Sequence, residues 1–343
     1  MDDKVFHGLF RREKCLIDLA VIAFRLYPET NTSLPPIIDK MIAKARAPLA
    51  GILVALVTPF TDDGSAMDKN RLKSHVDHIL DAGCHGLVPG GTTGEFTALS
   101  MEERKQNLEL CIEYAAGRAP VVAGIGATTT KDCVELAEHA AKAGAAALMV
   151  VPPFYDPVNY EQLQELMSEI HAVSNLDIVY YNIPSASGVT LSPKEIAGLS
   201  RVGVKYLKDT SGNAPAFTEL VFGLSDQITA FNGWDTLTFY GLAAGCKGSV
   251  WGASNVIPEL SAQLWDAIAV KGDLKTGREL WSKVYPICKF LEEHNYPSAV
   301  KTGMELLGHR TGGLRKPFKL LQGEPRAELA RLLQAAGLEV VSS

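Results

Sequence analysis

No C-x-x-C pair occurs in the chain, although six cysteines are present (Cys15, Cys84, Cys111, Cys133, Cys246 and Cys288). Their scatter gives no zinc knuckle and no dithiol redox site. Dilute thiols in a chain of this size fit a reducing, cytoplasmic compartment. No apolar run approaches the ~18 residues that a membrane span requires. Positive charge is in short supply: 33 Lys and Arg stand against 39 Asp and Glu, a formal charge of −6. Nucleic acid is not an expected partner, because no basic stretch tracks phosphates. No Asp/His/Glu cluster has metal-ligand spacing at a strand end, and the one H-x-x-H, His75 and His78, lies mid-helix, so no metal is expected. What is present is apolar material: 47% of the residues are hydrophobic, ample for a buried core.

Residues 1–48 differ from the rest. Cys15–Phe24 is apolar but carries Asp18 and is followed by Arg25. It lacks a small-residue cleavage site, and Asp2, Asp3 and Glu13 do not suit a transit peptide. An appended helix is expected there, joined through a linker over 28–37 that Pro28, Pro35 and Pro36 keep out of helix, with Met41 as an alternative start.

From Gly51 onward short apolar runs alternate with longer amphipathic ones. The runs at 52–60, 86–90, 120–126, 146–153, 177–182, 202–208, 228–233 and 247–252 are too short for helices, and most are rich in β-branched or aromatic residues. Helical spacing marks 68–82, 101–114, 130–143, 159–173, 192–199, 215–224, 234–244 and 257–270. Ser100 and Glu103 form a capping-box pattern, and Pro193 stands where a first-turn proline belongs. Eight βα units predict a closed parallel (β/α)8 barrel over 49–272, with a helical region over 273–343. The competing doubly wound sheet lacks its G-x-G-x-x-G after the first strand.

A barrel keeps its chemistry at the C-terminal ends of its strands. Lys208 closes the sixth run and is expected to direct its amine into the mouth. There a low-dielectric pocket disfavours the charged form of an amine and makes it a nucleophile toward a ketone. The competing reading is a rim salt bridge with Asp209, and Lys205 is a rival lysine deeper in the strand. Tyr181 ends the fifth run as a candidate proton shuttle or a core aromatic. Thr92 and Thr93 sit in a Gly-rich turn that enters a helix, either an anion site or a plain turn; it is no P-loop, because no G-K-[ST] follows.

"GGTTGE" (90–95), "YNIP" (181–184), "LKDTSGN" (207–213) and "GWD" (233–235) fall in order. From about Ala50 to Leu338 the chain resembles the N-acetylneuraminate lyase / dihydrodipicolinate synthase superfamily of class I pyruvate aldolases. The resemblance implies a Schiff base between Lys208 and a keto acid, with Tyr181 as general acid/base. Thr92 would relay protons and Tyr155 would complete the relay from a neighbouring subunit. Thr93 and adjacent N–H groups would hold the carboxylate. It implies no separate cofactor and a homotetramer built as a dimer of dimers. Gly91, Gly233 and Gly252 fall at substrate-lining positions on the same basis.

Three departures bear on the substrate. Ala186 stands where the synthases carry the arginine that grips an aldehyde substrate's carboxylate, a charge-assisted contact worth ~1.5–3 kcal/mol. Thr210 and Asp235 match positions at which lyases contact sugar hydroxyls, but Thr236 replaces the sialic acid lyases' glutamate. Trp234 and Trp251 would make a bulky rim if they face inward, or would pack between barrel and helices. The expectation is therefore an aldolase or lyase that splits a 2-keto-3-deoxy (sugar) acid into pyruvate and an aldehyde, or runs the reverse. The alternatives are dihydrodipicolinate synthesis, dehydration or deamination at the same lysine, and, more remotely, a keto-acid sensor without turnover.

Overall fold

The computed structural model describes residues 48–341, so the expected extension lies, apart from Pro48, outside the described residues. All eight expected strands form: β1 (Gly51–Ala55), β2 (Gly86–Val88), β3 (Val122–Gly124), β4 (Ala147–Val150), β5 (Ile178–Asn182), β6 (Val204–Asp209), β7 (Thr229–Asn232) and β8 (Gly248–Trp251). Between them run α1 (Lys69–Asp81), α2 (Met101–Ala115), α3 (Thr130–Ala143), α4 (Tyr160–Ser174), α5 (Pro193–Gly198), α6 (Ala214–Gly223) and α7 (Thr238–Ala243). After β8 come α8 (Pro258–Trp265), α9 (Leu274–Glu292), α10 (Tyr296–Leu306) and α11 (Gly323–Ala335). The capping box at Ser100 is present in both directions and satisfies two otherwise unpaired donors at the start of α2.

The strands pair in the order β2-β1-β8-β7-β6-β5-β4-β3, every pairing parallel. A bridge between Leu87 and Val121 joins the two ends, with Leu87 N–H donating to Pro120 O at 3.0 Å and Gly124 N–H to Pro89 O at 2.9 Å. The sheet is thus a barrel, and the doubly wound alternative is excluded. Strands are shorter than the apolar runs because the backbone leaves the ladder at the mouth. Val57 N–H, for instance, donates to the Asn255 side chain at 3.1 Å.

Two apolar clusters separate by strand alternation. Val88, Met149, Val179, Tyr181 and Phe231 fill the barrel interior, whereas Ile52, Leu148, Tyr180 and Leu207 pack outward against helices. On β6 this alternation is interrupted. Ile178 pairs with Val204 but Val179 pairs with Tyr206, so Lys205 is the extra residue of a β-bulge. Val204 therefore joins the outer cluster while Tyr206 joins the inner one.

Trp251 does not line the mouth. It is fully buried in the outer cluster, 6.3 Å from the Trp281 ring of α9. Trp234 is half-buried and packs over Gly212. The histidines of α1 are packing residues: His75 Nε2 lies 2.9 Å from Asn255 Oδ1, and His78 stacks on His309 at 4.3 Å. Cys84, Cys111, Cys133, Cys246 and Cys288 are buried free thiols, and burial pushes Cys84 up to about 12.

Candidate active site

The β6 bulge decides which lysine enters the barrel. Lys205, at the bulge, is exposed and pairs with Asp177 at 2.8 Å. Three residues on, Lys208 is only 5% exposed and stands opposite Tyr181 in the β5–β6 ladder. Its Nζ lies 3.9 Å from the centre of the Tyr181 ring. The rival salt bridge does not form: Asp209 faces the other way, accepting from Asn182 Nδ2 at 2.6 Å and from Ser211 Oγ at 3.0 Å. Lys208 has no ion-pair partner among the described residues.

Gly233, at the exit of β7, makes room for the lysine stem. A β-carbon there would come within 2.7 Å of Lys208 Cγ and 2.4 Å of Thr210 Oγ1. Thr210 Oγ1 donates to Gly233 O at 3.0 Å, which ties the ends of β6 and β7 together.

An acidic group also lies close enough to Lys208 to feel its charge. Asp235 is buried at the start of the turn after β7 and accepts from Tyr296 Oη at 2.5 Å. Burial raises its carboxyl to about 7; the Tyr296 donor and Lys208 pull it down while Glu292 pushes it up. Glu292, at the end of α9, accepts from Thr236 N–H at 2.8 Å and from Thr236 Oγ1 at 2.9 Å. The open face of Gly252, after β8, is taken by the Tyr296 ring, which a β-carbon would meet at 2.5 Å.

The turn after β2 is closed by Gly94 N–H donating to Gly91 O at 3.1 Å and Glu95 N–H to Thr92 O at 3.0 Å. Thr93 is buried and Thr92 is exposed. Ala186 lies exposed on a single helical turn, Pro184–Ser187, beyond β5. Tyr155, after β4, is 86% exposed. Sequence reasoning missed Tyr296 and Lys301. Tyr296 follows the N-cap of α10 and reaches across 61 positions to Asp235, with no local signal beyond its place beside Pro297. No group of three or more potential metal ligands occurs among the described residues.

A closed parallel barrel with a buried lysine beside a tyrosine at its C-terminal mouth falls in the class of carbon–carbon lyases and synthases. The model of the dihydrodipicolinate synthetase family matches residues 48–336. The chain belongs to that family. It is 34% identical to the 4-hydroxy-tetrahydrodipicolinate synthase of Methanopyrus kandleri over 84% of this chain and 97% of that protein. With the synthase of the same name from Bartonella bacilliformis it shares 36% over 84% of this chain and 99% of the other. Among solved structures, the chloride-inhibited dihydrodipicolinate synthase of Acinetobacter baumannii complexed with pyruvate superimposes with a TM-score of 0.81 at 29% identity. That match covers 85% of this chain and all of the other.

Proposed function

We propose that this chain forms a Schiff base between Lys208 and the keto carbon of pyruvate or of a 2-keto acid, and makes or breaks a carbon–carbon bond next to it. The observation that carries this reading is the Lys208–Tyr181 pair inside the barrel mouth. The amine attacks the ketone and water is lost, leaving an iminium that draws electrons from the adjacent bond. In the cleavage direction Tyr181 takes the proton from the substrate hydroxyl, the C–C bond breaks, and an aldehyde departs. The enamine left behind picks up a proton, and hydrolysis releases pyruvate and the free lysine. Thr93 and the turn's N–H groups hold the carboxylate, Thr92 passes protons, and Gly91 shapes the turn. The iminium is the electron sink, so the proposed reaction needs no cofactor or metal.

For the second substrate, the relatives' name favours condensation of pyruvate with an aldehyde, as in 4-hydroxy-tetrahydrodipicolinate synthesis, over the sugar-acid lyase expected from sequence. One observation keeps the lyase as a second reading. Ala186 offers no cation to a distal carboxylate, and Thr210 and Asp235, the positions that the resemblance gives to sugar-hydroxyl contacts, both stand close to Lys208. The exposure of Tyr155 fits a residue that reaches a neighbouring subunit's site and completes the relay there in a homotetramer. Five buried free thiols fit a cytoplasmic enzyme. Borohydride reduction with pyruvate tests the core of the proposal: mass is expected to be added at Lys208 and to be absent in Lys208→Ala. A folded protein that stays unmodified at Lys208 overturns it. Assays of aldehyde consumption against pyruvate release from 2-keto-3-deoxy acids separate the two substrates.

A further inference from the structure

Lys301, on α10, has its side chain fully buried, yet it belongs to neither the barrel nor its mouth. Its Nζ donates to Thr58 O and Gly313 O, each at 2.7 Å, and lies 2.5 Å from Glu95 Oε1. All three partners are acceptors, so the site is built for an ammonium with three donors rather than for a neutral amine. The Phe60 ring packs on the same nitrogen at 4.2 Å. Burial lowers the ammonium's pKa, while Glu95 and Glu305 hold it up and Arg315 pushes it down.

Glu95 ends the turn that carries Thr92 and Thr93, and its backbone is left-handed at φ 56°. A side chain rarely adopts that conformation unless its surroundings impose it. Here they do: Glu95 Oε1 faces Lys301, and Glu95 Oε2 accepts from Arg315 N–H at 3.2 Å. Thr58, whose carbonyl Lys301 holds, gives its hydroxyl to Gly94 O at 2.8 Å. Lys301 therefore grips the turn at two successive residues, Glu95 directly and Gly94 through Thr58.

We propose that Lys301 is a positioning residue for the keto-acid carboxylate, holding the Thr92–Thr93 turn in its binding shape from the C-terminal helical region. This rests on the Schiff-base reading of Lys208. The test is borohydride trapping at Lys208 across a pyruvate titration, read by intact mass, in the wild type, Lys301→Met, Glu95→Gln and the double variant. Each single variant is expected to raise the half-saturating pyruvate concentration roughly tenfold, the scale of one lost charge-assisted contact. The adduct formed at saturation is expected to stay the same, and the double variant to be no weaker than the worse single one. Unchanged half-saturation in the single variants overturns the proposal. A smaller adduct at unchanged half-saturation also overturns it, because that is the mark of a merely structural residue. If Lys301→Met does not fold, the near-isosteric Glu95→Gln decides alone. A wild type that forms no adduct overturns the Schiff-base reading itself, and this inference with it, whereas a failure confined to the variants overturns only the role of Lys301.

Discussion

Lys208 and Tyr181 are cross-strand neighbours on β6 and β5 whose side chains meet inside the barrel, with the lysine nitrogen 3.9 Å from the centre of the phenol ring. Such pairing fixes both groups to strands rather than loops, so their relation does not depend on loop motion. Tyr181→Phe keeps the ring under the nitrogen and removes only the hydroxyl. Borohydride trapping of pyruvate is expected to persist while turnover falls by ~10²–10⁴-fold. Undiminished turnover in that variant would take Tyr181 out of proton transfer.

Gly233→Ala places a methyl group where Lys208 Cγ and Thr210 Oγ1 now approach within 2.7 and 2.4 Å. The lysine stem has to swing away from its present path. Trapping at Lys208 is expected to drop by roughly 5- to 150-fold, the scale of ~1–3 kcal/mol for overpacking a tight site. A variant that folds and traps at the wild-type rate would show that the stem reaches the mouth by another route.

Asp235 supplies a pH dependence whose sign follows from its surroundings. Its folded pKa is raised to about 7 by burial, whereas an unfolded aspartate titrates near ~3.9. Between those values the folded chain keeps a proton that the unfolded chain has released. This group's contribution to stability is therefore complete below about pH 4 and is lost as pH rises through about 7. Asp235→Asn removes the titration. Melting temperatures from pH 4 to pH 8 are expected to show a shallower decline for the variant than for the wild type, and parallel curves would contradict the assignment.

Trp251→Phe bears on the expected aromatic rim. Because Trp251 packs on Trp281 in the outer cluster, the change is expected to lower stability by about 1–3 kcal/mol. Its effect on KM for either substrate should be nil. A selective change in KM for the aldehyde or 2-keto-3-deoxy acid, at unaltered melting temperature, would return the ring to the pocket.

The eight strands are legible in the sequence because each apolar run is bounded by breakers and spaced by a helix-length amphipathic stretch. Which face a strand residue takes is less legible. Parallel barrel strands are buried on both sides, so Trp251 and Phe231 look alike in a run although one faces out and the other in. Lys208, Tyr181 and the Thr92–Thr93 turn are legible from their places at strand ends. Tyr296 and Lys301 are not, since each acquires its meaning from partners 61 and 243 positions away. Ala186 is legible as a missing charge, but the tie between Asp235 and Tyr296 is set by the packing of α10.

The bulge at Lys205 sets the frame of the outer half of β6. Lys205 itself is solvent-facing and replaceable, yet it takes up the extra step that lets Val204 point out and Tyr206 point in. Were it instead taken into the regular ladder, with the start of the strand held in place, every later residue of β6 would change faces. Asp209 would then turn toward the barrel lumen and the amine of Lys208 toward the helices. Loss of Lys205 altogether would leave Val204 and Tyr206 as direct neighbours on opposite faces and the amine of Lys208 still in the lumen, so it is the looping-out of one residue that keeps a carboxylate from taking the amine's place.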